Sequence, residues 1–283
     1  MQNTNIISTG NVVQLYQIIT ERGSKMTEWL TKDNLTLIGM IASIIAGLST
    51  GIGALPILFT RNISEKALNA MLGFAAGVML AATSFSLVIP AIEKAGGGLK
   101  GALITLVGII LGGLFLDYVD KNLPHFHAVA GMEGKSRNLS RIWLFIFAIT
   151  IHNFPEGLAV GAGFGDFDYS NGFALTAGIA IQNMPEGLAV ALALTTEKAS
   201  PSRAFFIALL TGLVEPVGAI IGLLMTQIAR PILPLMLAFA AGAMLFVISD
   251  EMIPETHRRG SHRIATYGVV IGFAVMMVLD TLI

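Results

Sequence analysis

His152-Asn153-Phe154-Pro155-Glu156-Gly157-Leu158-Ala159-Val160 and Gln182-Asn183-Met184-Pro185-Glu186-Gly187-Leu188-Ala189-Val190 are two versions of one phrase, thirty residues apart. Each lies inside an apolar run long enough to cross a bilayer, where a carboxylate at mid-depth is costly and needs a partner. A metal cation is the simplest partner. Residues four apart share a helix face, so His152 projects with Glu156 and Gln182 with Glu186, and each run offers a two-ligand edge. Pro155 and Pro185 remove a backbone donor, leave the carbonyls of Ile151 and Ile181 free, and are expected to bend both helices beside the acids. A third acid, Glu215, stands before Pro216 in the next apolar run.

Each of these residues also has a plainer reading. His152 could be a buried histidine satisfied by a carbonyl or by Glu156. Glu156, Glu186 and Glu215 could be protonated acids bonded between helices, or a proton relay without metal. The duplication of the whole phrase favours ligands over both. For Asn153 and Asn183, capping of freed carbonyls and metal ligation stand level. Met79 offers a thioether suited to zinc or cadmium, yet a lone membrane methionine is ordinarily packing.

Composition sets the frame for that phrase. The chain has 283 residues, 54% of them hydrophobic and 12% charged, against roughly 25% charged in soluble domains. Its mean hydropathy is +0.75. This is the composition of an all-α polytopic membrane protein, with the lipid bilayer as its surroundings. A net charge of -1 provides no basic surface for nucleic acid. With no cysteine there is no disulfide framework and no thiolate zinc site, so a metal must be held by imidazole, carboxylate, amide or thioether.

Uncharged runs predict eight spans, at about 35–60, 67–92, 101–119, 142–164, 171–195, 204–229, 231–253 and 264–282. The connections after spans one, three, five and seven carry eleven of the 17 Lys and Arg, which predicts both termini outside the cytoplasm of a cell (inner) membrane protein. The longest connection, about 120–141, is then cytoplasmic and holds His125, His127, Lys135, Arg137 and Arg141; it is expected to be mobile. Residues 1–33 form an amino-terminal arm, readable equally as an amphipathic helix on the membrane or as a soluble segment, and 34–283 form one transport domain. The internal repeat visible at this level is that between spans four and five. Asp117 and Asp120 end span three, and Asp250, Glu251, Glu255 and His257 end span seven. They could stage a departing cation, with Asp117, Asp250, Glu251 and His257 as the candidate exit path, or they could be solvated and paired with Arg258 and Arg259.

The paired phrases, Val214-Glu215-Pro216 and the run Ser249 to Arg258 (SDEMIPETHR) resemble the Zrt/Irt-like (ZIP) metal transporters, especially their prokaryotic GufA-type branch, over about residues 35–283. The resemblance implies an eight-helix bundle with inverted repeats, spans one to three against six to eight, usually as a homodimer. It implies transport of zinc, iron, manganese or cadmium into the cytoplasm. Met79, His152, Glu156, Gln182 and Glu186 would form a first metal position; Asn153, Asn183 and Glu215 would form a second, with Glu156 and Glu186 as bridges. Some members have aspartate where this chain has Asn183, so the second position here carries one carboxylate fewer. Spans one, four, five and six would carry the metal past a scaffold of spans two, three, seven and eight. No prosthetic group is expected; Zn2+, or Cd2+, Fe2+ or Mn2+, enters as bound substrate. Two other readings share these ligands. One is a channel-like conduit. The other is an intramembrane metal-dependent hydrolase, against which stands the absence of the HExxH arrangement and of an acid left over for catalysis.

Overall fold

The signals that start and stop the helices are local. Ser64 caps one helix by accepting from the Ala67 amide at 3.2 Å, and Ser200, followed by Pro201, caps another by accepting from the Arg203 amide at 3.3 Å. Gly96, Gly97 and Gly98, with φ of +100°, +67° and +54°, make the reversal between spans two and three, a backbone path that side chains disfavour. The computed structural model of the chain describes residues 32–60, 63–122, 125–127, 131–133, 141–164, 169–196, 198–228, 230–257 and 262–282. The expected amphipathic arm falls outside them, except that Lys32 and Asp33 open the first helix.

Span one is α1 (Lys32–Ala54), closed by a 3-10 turn Leu55–Leu58. Span two is α2 (Glu65–Ala82), a π-helical segment Thr83–Val88 and α3 (Ile89–Lys94). Span three is α4 (Gly98–Asn122), span four α5 (Arg141–Gly163) and span five α6 (Tyr169–Thr196). Span six is split into α7 (Pro201–Gly212) and α8 (Glu215–Ile228). Span seven is α9 (Leu233–Val247), a π-helical segment Ile248–Met252 and α10 (Ile253–His257), and span eight is α11 (His262–Leu282). Between spans three and four an antiparallel hairpin pairs β1 (His125–His127) with β2 (Gly131–Glu133), so the connection expected to be mobile has regular structure within it. Seven of the spans are long and apolar enough to cross a membrane by the properties of their described residues, and the eighth, α5, carries the first motif.

Proline acts differently at its several places. Pro155 and Pro185 lie inside α5 and α6, which continue as helices through them. Pro216 sits where span six breaks, and Glu215 is the first residue of the new helix. Pro90 and Pro254 follow the two π-helical segments, where the Ile89 and Ile253 amides bond five residues back, to Ser84 and Ile248. The extra residue of a π-turn moves aside the carbonyl that a helical proline ring would strike.

Within Gly39–Ile283, which the contacts set apart from the residues up to Ile38, close helix approach is made through glycine. Span eight packs on span two, span seven on span three, and span four on span six. These contacts expose a two-fold relation. A methyl group at Gly47 would strike the carbonyl of Gly212, and one at Gly212 that of Gly47, which puts the axis between them. Gly53 lies against the carbonyl of Met184 as Gly218 lies against that of Phe154, and Gly187 meets Thr50 as Gly157 meets Glu215. The same relation maps Phe74-Ala75-Ala76-Gly77-Val78-Met79-Leu80 in α2 onto Phe239-Ala240-Ala241-Gly242-Ala243-Met244-Leu245 in α9, and one π-helical segment onto the other. The bundle therefore has the inverted repeats that the resemblance implied, and the repeat is not confined to spans four and five.

Lipid-facing and protein-facing surfaces divide by span. α4 and α11 turn Leu103, Leu106, Val107, Leu114, Val270, Ile271 and Val278 outward, while α2 and α9 are mostly buried. Glu156 of span four and Glu215 of span six are buried as well, and Glu186 of span five is half-buried.

Candidate metal centre

Three consecutive spans bring their acids into one electrostatic neighbourhood: Glu156 interacts with Glu186 and Glu215, and Glu186 with His152. Glycine makes that closeness sterically feasible. Gly157, next to Glu156, lies directly against the Glu215 backbone, so α5 and α8 meet at the acid-bearing turn. Glu156 and Glu215 are 1% and 0% exposed, which strips them of water unless a cation or hydrogen bonds replace it.

The amides of span five engage one oxygen of each acid. Gln182 Nε2 donates to Glu156 Oε1 at 2.8 Å, and Asn183 Nδ2 donates to Glu215 Oε1 at 2.6 Å and to the Ala46 carbonyl at 2.9 Å. Both donors are nitrogens, so both amide oxygens are left over. Glu156 Oε2, Gln182 Oε1, Asn183 Oδ1, Glu186 Oε1 and Glu215 Oε2 are all buried without a hydrogen-bond partner. Buried polar atoms are ordinarily paired, and five unpaired oxygens on three adjacent spans form a set of acceptors that only a cation or donated protons can satisfy.

The remaining sequence candidates divide. His152 Nε2 lies 2.6 Å from Glu251 Oε1, so the imidazole of span four is tied to the π-helical segment of span seven. Glu251, grouped by sequence with the exit path, thus reaches a residue of the central motif. Asn153 is 2% exposed, with its Nδ2 unpaired. Met79 is buried in α2 next to Val78, which packs against Gly178 of α6, one turn before Gln182. Asp117 pairs with Lys121 at 2.7 Å, and Asp250 is exposed at the π-helical segment. The side chain of His257 lies outside the described residues. Among the described residues no group of three or more His, Asp or Glu forms a metal cage by itself. Two of the five unpaired oxygens are amide oxygens, which bind a cation more weakly and more reversibly than acids and imidazoles do.

Sequence reasoning missed the Glu251 link, although SDEMIPETHR was in view, because span number does not say which helix ends meet. It also missed the phrase shared by α2 and α9, which was legible in the residues themselves.

The ZIP Zinc transporter family profile matches residues 130–280. Zinc transporter GufA of Myxococcus xanthus is 50% identical over 247 residues, covering 86% of this chain and 97% of that protein. Zinc transporter ZIPB of Bordetella bronchiseptica is 42% identical over 259 residues, covering 89% and 84%. Zinc transporter ZIP11 of Homo sapiens is 34% identical over 317 residues, covering 82% and 93%.

Proposed function

Because the chain belongs to the ZIP zinc transporter family, we propose that it carries Zn2+ across the cell membrane into the cytoplasm through the acids of spans four, five and six. Membership in a transport family sets aside the hydrolase reading, and the chain is a multi-pass membrane protein. The observation that carries the proposal is the set of five buried, unpaired oxygens on Glu156, Gln182, Asn183, Glu186 and Glu215. Carboxylates offset the cation's dehydration, while neutral amide, imidazole and thioether groups keep the site weak enough to release it.

Met79, His152, Glu156, Gln182 and Glu186 form the first metal position, and Asn153, Asn183 and Glu215, bridged by Glu156 and Glu186, the second. Cd2+, Fe2+ and Mn2+ are further candidate substrates. Metal leaves past Glu251 and Asp250, with Asp117 and His257 further along the path. Both termini lie outside, and two copies form a homodimer. Spans one, four, five and six move as a carrier against the other four; the packing of spans two with eight and three with seven supports that division.

Zn2+ uptake into proteoliposomes tests the proposal. Wild type is expected to give saturable uptake, His152→Ala and Glu186→Ala to abolish it, and Glu215→Ala to retain part of it. Uptake that grows linearly with concentration would favour a channel, and no uptake by folded protein would overturn transport of zinc.

A further inference from the structure

The two-fold relation makes Thr50 of α1 the image of Glu215. Its carbonyl lies on Gly187 as that of Glu215 lies on Gly157, and the paired glycines Gly47 and Gly212 stand at the axis between them. Thr50 is 2% exposed and its Oγ1 has no hydrogen-bond partner.

Among the described residues Thr105 of α4 is also buried with its hydroxyl unpaired, but it lies in span three, away from the acid-bearing spans. Ten other threonines donate their hydroxyl to a carbonyl three or four residues back, the ordinary way to satisfy a buried hydroxyl within a span. For Thr50 the carbonyl one turn back is that of Ala46, and Asn183 Nδ2 occupies it at 2.9 Å while also donating to Glu215 Oε1 at 2.6 Å. The Thr50 Oγ1 instead rests against Gly212, one turn before Glu215. An unpaired hydroxyl is therefore set between the Ala46 carbonyl that Asn183 engages, one turn before it on α1, and the Gly212 turn that leads to Glu215, and Asn183 Oδ1 and Glu215 Oε2 are unpaired as well.

We propose that Thr50 is a further residue of the metal site, its Oγ1 acting as a neutral oxygen ligand, directly or through one water, of a divalent cation held by Asn183 and Glu215. This rests on the zinc-carrying function proposed above. It gives the second position a neutral oxygen beside Glu215, the one acid that this position does not share with the first. A hydroxyl at the image of a carboxylate also keeps the pair of half-sites unequal, so the cation is held on the Glu215 side of the axis.

Equilibrium binding of Zn2+ to the purified full chain, read beside uptake, separates this assignment from the transport function. Thr50→Val keeps the branched shape and removes the oxygen. It is expected to weaken Zn2+ binding about three- to tenfold, the effect of losing one neutral polar contact, with Thr50→Ser restoring binding to within about twofold. Thr50→Glu, which copies the acid of the other repeat, is expected to hold Zn2+ more tightly and release it more slowly. Thr50→Val indistinguishable from wild type in binding and in KM for uptake would overturn the assignment, as would Thr50→Ser being as weak as Thr50→Val, since that pattern reports packing. Should Thr50→Val fail to fold, Thr50→Ala, compared with Thr50→Ser in the same measurement, decides the question. Wild type that binds Zn2+ without carrying it would sink the transport function, while the Thr50 variants would still be judged on binding.

Discussion

At the scale of single residues, the centre is defined by what each acid shares and what it keeps. Glu156 gives one oxygen to the Gln182 amide and keeps the other, and Glu215 does the same with Asn183. An isosteric Glu156→Gln substitution keeps an acceptor for Gln182 Nε2 but removes the charge and turns the unpaired Oε2 into an NH2 donor; Zn2+ affinity measured by titration calorimetry is expected to fall by about tenfold or more, as for loss of a charged partner in a buried site. The same groups bind metal only when deprotonated, so cation and protons compete. Zn2+ affinity is therefore expected to decline steadily between about pH 7.5 and about pH 5.5, and an affinity constant across that interval would contradict imidazole and carboxylate ligation. The acids and His152 were legible from sequence because charge in an apolar run is conspicuous. Thr50 was not, because a threonine in a span is ordinary until the Ala46 carbonyl one turn back is seen to be taken by Asn183.

At the scale of helices, small residues decide how near the acids can come. A Cβ at Gly157 would meet the Glu215 carbonyl, and that oxygen belongs to backbone, which cannot swing aside. Gly157→Ala is expected to destabilise the protein by about 1–3 kcal/mol, in the range for overpacking, and to lower Zn2+ affinity by displacing Glu215; thermal unfolding and zinc titration of the variant measure the two effects. Gly113 of span three, whose added Cβ would find only the Gly242 carbonyl at 3.8 Å, provides a comparison in which Ala is expected to be tolerated. Span count and approximate limits followed from apolar run lengths. The break at Pro216 could be read from the sequence; that Pro90 and Pro254 follow π-helical segments could not. Whether a proline bends, breaks or is absorbed depends on neighbouring helices that satisfy or displace the freed carbonyl.

At the scale of the molecule, the proposed carrier motion slides spans one, four, five and six past the others, which makes the contacts that cross the division the places where it can be stopped. Gly178 of span five lies against Met276 of span eight. The chain contains no cysteine, so Gly178→Cys combined with Met276→Cys introduces the sole thiol pair. Oxidation is expected to arrest Zn2+ uptake and reduction to restore it; undiminished uptake with the disulfide formed would contradict a sliding carrier. The pair His152–Glu251 crosses the same division, linking the central motif to span seven.

By itself the sequence determined that the chain is a bundle of apolar helices, and it marked the acids of spans four, five and six as the candidate site of cation chemistry, because length, hydropathy and acids inside apolar runs are properties of the linear chain. The two FAAG phrases of α2 and α9 also carried the inverted repeat in plain letters. Only the tertiary structure decided which oxygens remain unpaired, that Glu251 reaches His152, and that Thr50 stands opposite Glu215 across the Gly47–Gly212 axis. Those facts depend on backbones meeting through glycine between spans distant in sequence, and on which donor reaches a shared carbonyl.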